Sequence, residues 1–127
     1  MALLPRVGLA ADIEVMLTGF TATGGLQVAL YDSEAGYKAE KIFGGVQRRA
    51  RANSLRVIFA DLPPGTYAIA AFHDKNENEE LDANVLGIPT EAYGFSNNVR
   101  GTFGPPEFTA ISFTVDNAPL KLDIELK

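Results

Sequence analysis

Cysteine and tryptophan are absent from this chain of 127 residues, and histidine occurs once. Without cysteine there is no disulfide, no thiolate metal ligand and no cysteine nucleophile, although that absence does not choose a compartment. Long apolar runs are missing too. A membrane helix needs ~18 or more consecutive apolar residues, and no run approaches that length. Basic charge is scarce: 11 Lys and Arg stand against 16 Asp and Glu, for a formal net charge of -5. That balance disfavours a general binder of nucleic acid or anionic membrane, which needs a basic field first. A hydrophobic fraction of 46% excludes disorder of the whole chain and suits one domain with its own core.

Residues 1–11 read as an N-terminal extension or signal remnant, and residues 12–127 as a single domain. The stretch Met1 to Ala11 is too short and interrupted for a full signal peptide. Gly8-Leu9-Ala10 nevertheless offers a small-x-small cleavage pattern. An ordinary first strand or an artificial leader are the competing readings.

Alternation of apolar and polar residues is the dominant pattern of the domain, with the period of half-buried strands. Ile13, Val15 and Leu17 share one face of a first run, and Leu26, Val28 and Leu30 one face of a second, after Thr23-Gly24-Gly25. These two suggest a hairpin. Leu55, Val57 and Phe59 form a third run and Tyr67, Ile69 and Ala71 a fourth. The Leu62-Pro63-Pro64-Gly65 stretch between them suggests another reversal. Ile111, Phe113 and Val115, then Leu120 to Leu126 in strict alternation, complete the set. Glu34 to Arg51 is rich in helix formers but interrupted by Gly36, Gly44 and Gly45. It reads as a crossover loop with an extra strand near Tyr37 to Phe43. The pattern predicts an all-β fold, a single antiparallel β-sandwich with Greek-key connections.

The span from His73 to Pro106 shows no strand or helix pattern, yet it holds Leu81, Val85, Ile88, Tyr93, Phe95 and Phe103. Connections longer than about 12–15 residues without regular structure are usually functional or disordered, and these apolar residues predict one long, ordered, self-packed loop.

Its opening places oxygen-bearing side chains at alternate positions. Hard cations such as Ca²⁺ take six to eight oxygens, and a tight loop supplies them in this spacing. Asp74, Asn76 and Asn78 would be positions one, three and five, Glu80 would give its carbonyl at seven, and Asp82 would bind at nine. Position six, usually Gly, is Glu79, and position twelve, the bidentate Glu of an EF-hand, is Val85. An EF-hand is therefore rejected, and a shorter calcium loop closed by Asp82 is expected. The competing reading is a solvated acidic turn in which Asp and Asn bond their own backbone. Hard oxygens and a single imidazole argue against zinc or iron.

His73 lacks a nucleophile in a recognisable context, because Ser33, Ser54, Ser96 and Ser112 sit in no nucleophile elbow. A structural histidine and a non-enzymatic protein are expected. The segment Thr90 to Gly101 mixes Tyr93, Phe95, Asn97, Asn98 and Arg100, a combination that fits either self-packing or contact with a glycan or other small molecule. Arg48, Arg49, Arg51 and Arg56 read as a solvated basic face.

The residues Leu62-Pro63-Pro64-Gly65-Thr66-Tyr67, the run to His73-Asp74, then Asn76, Asn78, Asp82, Gly87-Ile88-Pro89, Glu91, Tyr93-Gly94-Phe95-Ser96-Asn97-Asn98 and Gly104-Pro105-Pro106 together resemble the bacterial domain-of-unknown-function family 2141. The resemblance covers about Ile13 to Leu126. It implies a periplasmic or secreted bacterial protein and a β-sandwich akin to the transthyretin (prealbumin) modules; a glycan or cell-surface partner is a separate expectation, resting on the 90–101 segment. No activity is implied. The sequence departs from the family where Glu79 replaces the usual Gly.

Overall fold

The computed structural model describes residues 10–77, 91–100 and 104–127. Eight strands dominate: β1 (Ala11–Thr18), β2 (Gly25–Tyr31), β3 (Gly44–Arg49), β4 (Ser54–Leu62), β5 (Gly65–Asp74), β6 (Tyr93–Phe95), β7 (Phe113–Val115) and β8 (Leu120–Glu125). Two short helices, α1 (Glu34–Lys38) and α2 (Phe108–Ile111), and a 3₁₀ turn at Ser96–Asn98 complete the described elements.

The strands form two sheets. One has the order β4-β1-β8; the other runs β3-β2-β5-β6, with β7 also pairing β5. Alternation decides the faces. Ile13, Val15 and Leu17 of β1, Leu26, Val28 and Leu30 of β2, and Ile69 and Ala71 of β5 are buried in one common core with Val57, Phe59 and Ile124. A smaller cluster of Ala68, Phe95, Phe108 and Ile111 lies on the other side of β5.

Several expectations are corrected. Among the described residues the pairings are antiparallel except one: β8 runs parallel to β1, Ile13 opposite Leu120 through Thr18 opposite Glu125. Parallel partners need a crossover connection, and β8 reaches β1 after β7 has paired with the other sheet.

Neither expected hairpin forms. β1 and β2 belong to different sheets, as do β4 and β5. Gly19 and Gly24 adopt φ of 88° and 70°, conformations that only glycine takes without strain, and the chain between them passes from one sheet to the other. Pro63 and Pro64 do the same for β4 and β5, because two residues without N–H groups cannot sustain a ladder. Tyr67 ties this arch down, its hydroxyl donating to the Pro63 carbonyl at 2.6 Å.

The extra strand exists but lies at Gly44–Arg49 rather than 37–43, a stretch that instead begins with the last two residues of α1. Ser33 caps that helix by accepting from the Gly36 N–H at 3.0 Å, a bond that favours the helical start. Ile111 ends α2 and is not part of a strand. Within the stretch expected to lack regular structure, Tyr93–Phe95 pairs with Ala70–Phe72 as β6.

Candidate functional site

The end of β5 is built by register. Leu26 stands opposite His73 and Gly25 opposite Asp74. The inward-facing His73 is buried, and its Nε2 lies 2.6 Å from the Thr23 carbonyl. A carbonyl only accepts, so Nε2 carries the proton. Phe20 packs against the imidazole at 5.8 Å between ring centroids. Gly24 closes the corner, because a Cβ there would come within 2.8 Å of the backbone of Asp74 and Lys75.

Asp74 is fully buried, with the Gln27 amide donating to its Oδ2 at 3.5 Å. Asn76 is exposed. Asn78, Glu80 and Asp82 lie outside the described residues. Among the described residues no group of three or more His, Cys, Asp or Glu side chains comes together as a metal cage.

The chain returns at Glu91 to where it left. The buried Glu91 carboxylate accepts from the Lys75 N–H at 2.8 Å, and the Ala92 carbonyl accepts from the His73 N–H at 2.8 Å. Alternate-position spacing could not reveal Glu91, because its contact is made sixteen residues along the chain. Glu77 turns back on Asp74, its N–H donating to the Asp74 carbonyl at 3.2 Å. Its carboxylate instead faces Arg49 at 3.9 Å, with both side chains exposed.

The residues of the 90–101 segment divide into two groups. Tyr93 and Phe95 stand on the outer face of the larger sheet, edge to face at 5.9 Å. Asn97, Asn98 and Arg100 clasp the backbone. Asn97 donates to the carbonyls of Ala110 and Ser112. Asn98 donates to the Asp123 carbonyl and accepts from the Glu125 N–H. Arg100 donates to the carbonyls of Tyr93 and Lys127 and covers the Tyr93 ring at 4.0 Å. Asn97 and Asn98 take φ of 64° and 53°, values that asparagine tolerates better than most residues. Ser96, just before them, is fully buried and bonds Ile69 of β5 and Ile111 of α2.

Fold and corner together define a small two-sheet β protein in which Glu91 and Ala92 bond back to the end of β5 beside a buried aspartate. Residues 15–123 match the family described as "Uncharacterized protein conserved in bacteria" (DUF2141), and the chain belongs to that family. No curated protein and no solved structure matches the chain. Among the described residues no helix is long and apolar enough to cross a membrane.

Proposed function

We propose that this protein is a non-enzymatic, extracytoplasmic bacterial module, a Greek-key sandwich of transthyretin-like kind, whose loop after β5 is organised by calcium. The observation that supports the ion is the position of Asp74. The first expected ligand is wholly buried at the root of the loop, and a second buried carboxylate, Glu91, stands where the loop returns. A cation held over these feet by Asp74, Asn76, Asn78, Asp82 and the Glu80 carbonyl would fix the loop and balance its acids. The seating of His73 against the Thr23 carbonyl favours a structural over a catalytic imidazole. Export rests on the family resemblance and is tested by cell fractionation.

Melting in millimolar calcium and in chelator tests the ion directly. An ion that binds only the folded state adds about 2.7 kcal/mol when free ion is at ~100 times its Kd, on the order of 10 °C for a domain of this size. Asp74→Ala and Asp82→Ala should each abolish the shift. Glu77→Ala should keep it, since that carboxylate faces Arg49. Coincident melting curves with and without calcium would remove the proposal.

A further inference from the structure

The outer face of the larger sheet carries its smallest residues in one row. Ala29 lies opposite Gly45 on one side and Ala70 on the other, and Ala70 lies opposite Phe95. The neighbouring row is Gln47, Gln27, Phe72 and Tyr93. Alternate residues of a strand share a face, so both rows point away from the core formed by Val28 and Ala71. Two alanines and a glycine on three adjacent strands leave a trough about 10 Å across, at ~4.8 Å per strand.

Larger side chains wall the trough. Phe72 and Tyr93 rise on one flank, and Tyr31 and Ile42 stand on the other, enclosing a hollow of about 570 Å³. That volume falls within the roughly 300–1,000 Å³ of small-molecule sites. Ile42 is 53% exposed and leans over Gly45, its Cδ1 standing 2.9 Å from where a Cβ would be. A second hollow of about 510 Å³ adjoins, sharing Tyr31, Ala70, Phe72 and Phe95.

The chemistry of the lining selects a ligand class. Among the described residues, none that lines the trough is charged, although 21% of the chain is. Lys38, Glu40 and Glu107 enter only in the adjoining hollow. A charged ligand would be desolvated against ring faces and alanines, and charges nearby are already engaged, Arg100 with the carbonyls of Tyr93 and Lys127 and Asp74 with Gln27. A wholly apolar one would place its surface against the polar carboxamides of Gln27 and Gln47, whose amide and carbonyl groups favour a partner that can hydrogen-bond. A ligand with apolar ring faces and neutral hydroxyl edges satisfies both.

We propose that this trough binds a neutral oligosaccharide, one pyranose face of which lies on Phe72 beside Tyr93, while its hydroxyls meet the amides of Gln27 and Gln47. The trough meets the calcium corner only at Gln27, whose amide also donates to Asp74 Oδ2 at 3.5 Å; none of its ring contacts is an expected calcium ligand. It takes Tyr93 and Phe95 from the 90–101 segment and leaves Asn97, Asn98 and Arg100 to their backbone partners.

The test is an array of neutral and acidic oligosaccharides probed with the full chain, followed by a titration of the best neutral binder monitored through backbone amide resonances. The expected result is saturable binding confined to neutral sugars, with shifts in β2, β5 and β6. Phe72→Ala should weaken it about tenfold, as one lost ring stack. Ala29→Leu, which fills the floor from the solvent side, should abolish binding while the melting temperature holds. The calcium proposal is read separately, by repeating the titration in chelator, where binding should persist. No neutral sugar bound, binding of acidic sugars alone, or binding indifferent to Ala29→Leu would each overturn the assignment.

Discussion

His73 Nε2 and the Thr23 carbonyl, 2.6 Å apart, join the end of β5 to the arch that carries the chain from β1 to β2. The imidazole is a bolt between the two sheets' connections. His73→Ala would remove a buried ring and leave a carbonyl without its donor. The expected loss is about 2–4 kcal/mol, combining cavity and hydrogen-bond terms, measured by denaturant unfolding. A near-neutral result would show that the bond contributes nothing.

The faces of the strands were legible because burial imposes a period of two. Ile13, Val15 and Leu17 are all fully buried as the alternation requires. Pairing was not legible, because the same alternation says which side of a strand is apolar and nothing about which strand lies beside it. Thr23-Gly24-Gly25 and Pro63-Pro64-Gly65 have turn chemistry that serves an arch between sheets as well as a hairpin within one. β6 escaped notice because Gly94 interrupts it, and the reason for that glycine is tertiary. A Cβ there would meet the Glu125 carbonyl at 2.8 Å, so the close approach of β8 dictates a residue that local propensity disfavours. The candidate corner was half legible. Spacing singles out Asp74, whereas the place of Glu91 in the corner is visible only in its bond from the Lys75 N–H.

Ser96 offers a second measurable bond. Its hydroxyl accepts from the Ile69 N–H at 3.0 Å and donates to the Ile111 carbonyl, joining β5 to the end of α2. Ser96→Ala changes little volume but strands a buried N–H. The expected cost is about 1–3 kcal/mol, with faster amide exchange at Ile69 as its local signature. Unchanged exchange there would contradict the assignment.

Arg48, Arg49 and Arg51 are exposed, and the Arg49–Glu77 pair at 3.9 Å is open to solvent. Such pairs contribute little. The triple change to Gln should leave the melting temperature within a few degrees, and a large loss would mean that these arginines brace the acidic corner.

Alkaline stability should follow three phenols. Burial is the first cause that raises the pKa of Tyr31, Tyr37 and Tyr67 above the ordinary value of 10.0, with Glu40, Tyr31 itself beside Tyr37, and Asp32 adding to it respectively. The charged form is the disfavoured one. Their contribution is therefore complete below the unfolded value and lost as pH rises through the higher folded values. Their contribution should be level just below pH 10.0 and stability should fall above it, with phenolate absorbance appearing together with unfolding. Ionisation of all three well before the structure is lost would contradict this.

Phe95 tests the relation between the long loop and the sheet. It lies opposite Ala70, is 9% exposed and packs with Ala68, Phe108 and Ile111, while its edge also reaches the trough. Truncation to Ala should cost about 3–5 kcal/mol, the usual range for a buried ring, because the same side chain holds α2 and the 3₁₀ turn onto β5. Tyr93 is only half buried, and its ring is covered by Arg100 at 4.0 Å. Tyr93→Ala should therefore cost less in stability than Phe95→Ala while weakening sugar binding more selectively. Chemical denaturation of the two variants beside sugar titration separates these roles. A stable Phe95→Ala protein would mean that the smaller cluster does not anchor the segment, and that Phe95 belongs to the trough alone.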